Sequence, residues 1–365
     1  MPHFSRRPGR RAALLTASVI AGTALAAPAP ASANLMFNLS YLAGTPAAAQ
    51  NAFAAAASAW SAMLADNVTV NLTVGTAALG PNILASTGAV DVTTSYSTFR
   101  AALAADATSS NDATAVASLP AGSSLHVLIN HTLQNAGNSY VDSTGANTAT
   151  IRLSNANARA LGLPVTTSNL GGNCIGTCDG YIAFSTGFGF DTDPSDGIAA
   201  GQFDFVGIAI HEIGHALGFI SGVDVLDTNA NSFGDNAFTY ISPLDMFRCS
   251  AASAAQNAID WTAGSDPKSF SLNNCTTTLA SFATGMNFGD GRQASHWKDN
   301  LGLGIMDPTS APGEALAISQ LDLTAMDVIG WNLAGTTDVP APASALVFVF
   351  GLAGLGWARR MGGTA

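Results

Sequence analysis

The sequence predicts an α+β fold. A twisted mixed sheet with helices forms an N-terminal lobe, and an irregular C-terminal lobe ends on a closing helix. Three observations carry this expectation. An Ala-rich stretch of helical period runs straight into a stretch of period two, a strongly apolar helix with two histidines lies past mid-chain, and turn residues dominate until a last apolar repeat.

In "TPAAAQNAFAAAASAWSAMLAD", Phe53, Trp60, Met63 and Leu64 recur at helical spacing, with Thr45-Pro46 as N-cap and first position. "NVTVNLTV" alternates Val68, Val70, Leu72 and Val74 with polar residues, the period of a half-buried strand. A shorter helix follows around "YSTFRAALAADA", then strands in "SLHVLIN", "TATIRLS" and "GYIAFSTGFGF". "FVGIAIHEIGHALGF" supplies apolar residues on both sides of its histidines, as a buried helix requires. The region from Gly222 to Gly291 is turn-rich and reads as an insertion. "AISQLDLTAMDVIGWNL" is the closing helix, with Gly330 as its stop.

The ends are of another kind. Residues 1–33 place Arg6, Arg7, Arg10 and Arg11 before an apolar run and finish on Ala31-Ser32-Ala33, the layout of an export signal. Residues 339–365 begin Val-Pro-x-Pro, continue as an apolar run from about Ala343 to Ala358, and stop at Arg359-Arg360, a short hydrophobic segment halted by cytoplasmic charge. The predicted domain is therefore 34–338. Six of the thirteen basic residues lie in the two ends, which leaves seven against 24 acidic residues, a net charge of about −17. Such a body lacks the charge to neutralise phosphates, so nucleic acid is excluded as a partner.

Cys174, Cys178, Cys249 and Cys275 belong to a chain read as exported, where thiols oxidise. Chain order suggests Cys174 with Cys178 and Cys249 with Cys275, among three pairings that four cysteines allow.

In "HEIGH", His211 and His215 stand four apart, so a helix projects both imidazoles from one face to grip one ion. Glu212 lies beside them, placed to take a proton from a water activated by zinc. The chain holds six histidines and only two glutamates, Glu212 and Glu314, so chance would assemble this motif on the order of one time in a thousand. Ser221 occupies the position where a further histidine would continue the motif past Gly218. Of the remaining histidines, His126 and His131 read as structural or surface residues. His296 sits in "ASHWKDNLGLGIMDP", ten residues before Met306.

"HEIGHALGFIS" followed by a distant Ser-His-Trp and a methionine turn resembles the leishmanolysin-type branch of the metzincin peptidases. The resemblance spans about Phe205 to Trp331. It implies a zincin fold with His211, His215 and His296 as ligands of one catalytic Zn²⁺, Glu212 as general base, Gly218 as the turn and Met306 packed beneath the site. It also implies a protein or peptide substrate laid along an edge strand, for which "YIAFS" is the candidate. The tail resembles the PEP-CTERM sorting signal of Gram-negative bacteria, with Ala341 where that signal commonly has glutamate. That implies transient membrane association, an exosortase-type sorting protease as partner, and an extracellular or cell-surface destination. The expected activity is that of a secreted zinc endopeptidase. The alternative is an inactive zincin-fold protein of the matrix or surface, and Glu212 is the discriminator, because a catalytically dead descendant often loses that base and this chain, with only two glutamates, keeps one there. Ca²⁺ is a second candidate cofactor at "DTDPSDG" (Asp191–Gly197) and "DTNANSFGDN" (Asp227–Asn236), although solvated turns account for both. Glu314 is a candidate ligand only in a different arrangement, since it follows the methionine turn.

Overall fold

A computed structural model describes residues 35–335, and both end segments, read from the sequence as an export signal and a sorting tail, lie outside them. The described chain is α+β. Its principal sheet has four strands. β1 (Met36–Tyr41) pairs in parallel with β2 (Thr69–Ala77), β2 in parallel with the strand Gly180–Ser185, and that strand antiparallel with β3 (Ala85–Ala89).

Parallel neighbours need a crossover, and α1 (Ala47–Met63) supplies it between β1 and β2. Its buried stripe is Ala49, Ala52, Phe53, Ala56, Ala57 and Trp60, residues one turn apart. Pro46, not Thr45, is the N-cap; the Thr45 hydroxyl donates to the Leu42 carbonyl at 2.8 Å. The small alanines let α1 lie close against the histidine helix, Phe205–Leu217. Phe53 meets Phe205 edge-on at 5.0 Å and Phe184 at 5.3 Å, while Phe184 stacks on Phe205 at 3.9 Å. The Trp60 indole N–H donates to the Ile210 carbonyl at 2.9 Å, which ties α1 to the helix just before its first histidine.

The topology corrects one expectation. "YIAFS" lies inside the sheet between β2 and β3, and the edge strand beside it is β3, "ASTGA", with β1 at the opposite edge. Ala, Ser, Thr and Gly give no apolar alternation, so sequence periodicity could not mark this strand. The central strands are buried on both faces at their middle: Leu72, Thr73 and Val74 are all buried although only two of them are apolar. The predicted helix in "YSTFRAALAADA" spans Tyr96–Asp106, and the strands in "SLHVLIN" and "TATIRLS" span Val127–Ile129 and Thr150–Ser154.

The region 222–291 is made of short elements, one of which pairs with an upstream strand while others hold the region together internally. Ile259–Trp261 pairs in parallel with Val127–Ile129 from upstream. A three-stranded antiparallel set, Arg248–Cys249, Lys268–Phe270 and Ala280–Phe282, carries one of the two disulfides, Cys249–Cys275; the other is Cys174–Cys178. Both pairings follow chain order. The closing helix is Gln320–Val328, started by a Ser319–Asp322 capping box and followed by Gly330 at φ +105°. Among the described residues no helix is long and apolar enough to cross a membrane.

Candidate metal centre

The histidine helix begins on Asp204, whose carboxylate accepts from the Gly207 N–H at 2.8 Å. It ends at Gly218, φ +116°, a conformation in which a side chain is strained. That turn brings the Phe219 carbonyl back over His215, whose Nδ1 lies 2.7 Å from it. The glycine that stops the helix therefore also supplies the hydrogen-bond partner of a histidine.

His211 and His215 share one helix face, and His296 arrives from the loop before Trp297. The three Nε2 atoms form a near-equilateral triangle: 3.1 Å between His211 and His215, 3.2 Å between His215 and His296, 3.3 Å between His211 and His296. Each ring commits its other nitrogen to a backbone carbonyl. His211 Nδ1 donates to Ile305 O at 2.7 Å, His215 Nδ1 to Phe219 O at 2.7 Å and His296 Nδ1 to Gln293 O at 3.2 Å. A carbonyl only accepts, so the proton of each neutral ring sits on Nδ1 and the Nε2 lone pairs converge.

Burial, followed by the proximity of His211, pushes the His215 imidazole down to about 3. Burial and both neighbouring histidines hold His296 well below its ordinary range. Three Nε2 atoms converging on one point suit a cation. Tetrahedral Zn–N bonds of about 2.0–2.1 Å set adjacent nitrogens about 3.3–3.4 Å apart, so the observed triangle fits zinc with little movement. No other group of three or more His, Cys, Asp or Glu side chains among the described residues converges in this way.

Glu212, between the two helix histidines in sequence, has its own partner. It is 7 % exposed, and its Oε2 accepts from the Thr87 hydroxyl at 2.5 Å; the same hydroxyl lies 3.0 Å from the Glu212 carbonyl. Burial raises the carboxyl, while the neighbouring His211 imidazole and the Thr87 hydrogen bond act against that rise. Thr87 is the middle residue of β3, so the free sheet edge and the glutamate are in direct contact.

Met306 is fully buried beneath the helix, and Gly214 is what admits it. A Cβ at Gly214 would stand 2.6 Å from Met306 Sδ. Trp297, next to His296, is fully buried against Phe219, Phe282 and Phe270 at 5.0, 5.0 and 5.3 Å.

The other sequence candidates stand elsewhere. His126 is exposed and His131 lies tilted on Phe288 at 4.2 Å. Glu314 is exposed and accepts from the Ala311 N–H. The Asp191–Gly197 and Asp227–Asn236 segments spend carboxylates on nearby backbone N–H groups: Asp191 on Asp193 and Ala199, Asp227 on Asn287 and Phe288. Sequence reasoning missed Thr87 and also Asp322. Asp322 is fully buried and accepts from Trp297 Nε1 (2.8 Å), Ile305 N (2.8 Å), Met306 N (3.3 Å), and Ser319 N and Oγ (2.7 and 2.8 Å). Its only sequence signal was the Ser-x-x-Asp of a helix start.

No protein-family model matches the chain, and no curated protein or solved structure matches it either.

Proposed function

We propose that the chain is a zinc-dependent endopeptidase of the leishmanolysin-like metzincin type, with His211, His215 and His296 as ligands and Glu212 as general base. The observation that carries this reading is the triangle of Nε2 atoms, each ring oriented by a backbone carbonyl, with a hydrogen-bonded glutamate next to it in sequence. When bound, zinc supplies Lewis acidity: it lowers the pKa of a water toward ~7 and polarises a carbonyl.

The chain's own residues do the rest. The three carbonyls keep the imidazoles in the tautomer that donates through Nε2. Glu212 takes the proton of the attacking water and returns it to the leaving amine. Its Oε2 is committed to Thr87, so Oε1 carries the proton. β3 offers its unpaired side to an extended peptide, and its small side chains, Ser86 and Gly88 outermost, leave room for the substrate's own. Because Thr87 belongs to that strand, a peptide that pairs there is in register with the base.

Export by residues 1–33, and sorting through residues 339–365 by an exosortase-type protease to the cell surface or medium of a Gram-negative cell, complete the reading. Two disulfides suit that destination.

Casein hydrolysis and zinc content of wild type, Glu212→Ala and His296→Ala test it. Glu212→Ala is expected to keep one zinc and lose hydrolysis, and His296→Ala to lose the metal. Full zinc binding without His296 would overturn the ligand set, and undiminished hydrolysis by Glu212→Ala would remove the base.

A further inference from the structure

We infer that Asp224 is a positioning residue for the third ligand: it holds the loop that carries His296 against the end of the histidine helix without touching the metal. This rests on the zinc reading above. Asp224 lies on the short helix Val223–Thr228, immediately after the turn that ends the histidine helix. Its Oδ1 accepts from the Ala294 N–H at 2.6 Å, and its Oδ2 from the Ser295 N–H at 3.2 Å and from the Ser295 hydroxyl. The Ser295 Oγ in turn accepts from the Ser221 N–H at 2.8 Å. Ser221, which stands at the spacing of a directly continued third histidine, thus grips the immediate neighbour of the histidine that replaces it.

The anchor is rigid on its own side. The Ser221 hydroxyl donates to Asp245 Oδ1 at 2.5 Å, and Asp245 Oδ2 gathers the Gly222 N–H (2.8 Å), the Ser242 N–H (2.9 Å) and the Trp261 indole N–H (3.0 Å). The opposite end of the Ala294 residue is held by a cation. The fully buried Arg248 guanidinium reaches the Ala294 carbonyl at 3.4 Å and the Ala283 carbonyl at 2.7 Å.

On the far side of His296, other groups hold the chain: Ala283 N donates to His296 O at 3.0 Å, and Trp297 N to Met306 O at 3.0 Å. On the near side Asp224 makes most of the hydrogen bonds, joined by Ser221 on Ser295 and Arg248 on Ala294. It matters twice, because the Gln293 carbonyl that sets the His296 tautomer belongs to the same loop. Letting residues 293–295 move displaces both the ring and its Nδ1 acceptor. Losing such an outer partner typically weakens metal binding about 10–100-fold.

The test is competitive zinc titration of the full chain, with the visible spectrum of the cobalt(II)-substituted protein, for wild type, Asp224→Ala, Ser295→Ala and Ser295→Thr. Asp142→Asn, a buried carboxylate bonded to Thr144 and Asn147, is the control. Asp224→Ala is expected to raise the zinc Kd about 10–100-fold and to change the cobalt spectrum. Ser295→Ala should weaken zinc binding, Ser295→Thr should restore it by returning the hydroxyl, and Asp142→Asn should leave both readouts at wild type. An Asp224→Ala protein within twofold of wild-type affinity and with an unchanged spectrum overturns the inference. Should that variant not fold, the Ser295 pair decides by the same criteria. Wild-type protein that binds no zinc overturns the metal reading itself, whereas wild-type binding with an indifferent Asp224→Ala overturns only the positioning role.

Discussion

Replacing Gly214 by alanine sets two effects of known size against each other. Glycine in a helix interior costs about 0.8–1 kcal/mol relative to alanine, so propensity alone makes Gly214→Ala stabilising. The packing opposes it: the new Cβ would lie 2.6 Å from Met306 Sδ and 3.4 Å from both Met306 Cε and Trp60 Cζ2. Unstrained contacts of this kind lie at about 3.5–4.0 Å, so the overlap with sulfur is roughly 1 Å. Met306 and Trp60 are both fully buried, and the sulfur sits mid-chain, so neither can swing aside cheaply. Overpacking of this sort costs about 1–3 kcal/mol, which outweighs the propensity gain and leaves a net loss of about 1 kcal/mol. For a domain of this size that lowers Tm by about 2–4 °C. Thermal unfolding of the metal-free protein, repeated in a Met306→Ala background, reads the effect and its origin. With the sulfur gone, Gly214→Ala should become neutral or stabilising, a coupling of about 1–3 kcal/mol. A rise in Tm with Met306 in place, or the same shift in both backgrounds, would refute the placement of the methionine beneath the helix.

Three further outcomes follow from the geometry. Thr87→Val, which keeps shape but loses the hydroxyl on Glu212, should lower kcat about 10-fold or more with KM and zinc content unchanged, since a hydrogen bond to a charged group is worth about 1.5–3 kcal/mol. Thr87→Ser should retain wild-type kcat in peptide-hydrolysis kinetics. Asp322→Ala strands the N–H groups of Trp297, Ile305 and Met306 in the interior, so urea unfolding should show a loss of at least about 3 kcal/mol, and zinc affinity should fall with it. Asp106, with Asp66, Asp112 and Asp327 nearby and no ion pair to any of them among the described residues, is pushed up to about 7 by burial and by its acidic neighbours. A raised carboxyl favours the folded state fully below the ordinary carboxylate range, and that contribution disappears as pH rises through about 7. Asp106→Asn should therefore raise Tm relative to wild type at pH 8 and hardly change it at pH 4, as followed by scanning calorimetry across pH.

Local order was legible where it rests on contiguous pattern. The 3.6-residue period of α1 and the alternation in β2 appear directly in the chain, and so does the stop of the closing helix at Gly330. Both disulfides join neighbours in chain order, the arrangement a sequence can suggest. β3 was illegible because an edge strand of Ala, Ser, Thr and Gly buries too little apolar surface to impose a period. The end of "YIAFS" in the sheet interior followed from β3, since only pairing decides which strand is outermost.

The sequence alone determined the helix with its two histidines and glutamate, the glycine that ends it, and a third histidine eighty-one residues beyond His215 as the one in a Ser-His-Trp setting. Tertiary structure alone decided that the three Nε2 atoms converge to 3.1–3.3 Å and that every ring finds a carbonyl behind it. It also decided that Thr87 reaches Glu212 and that Asp224 and Asp322 hold the loop on either side of His296. The reason is the range of the forces. Spacing along a helix is set by bonds and by neighbours one turn away, whereas hydrogen bonds between residues 70 to 125 positions apart exist only after the chain has packed, and no local pattern records them.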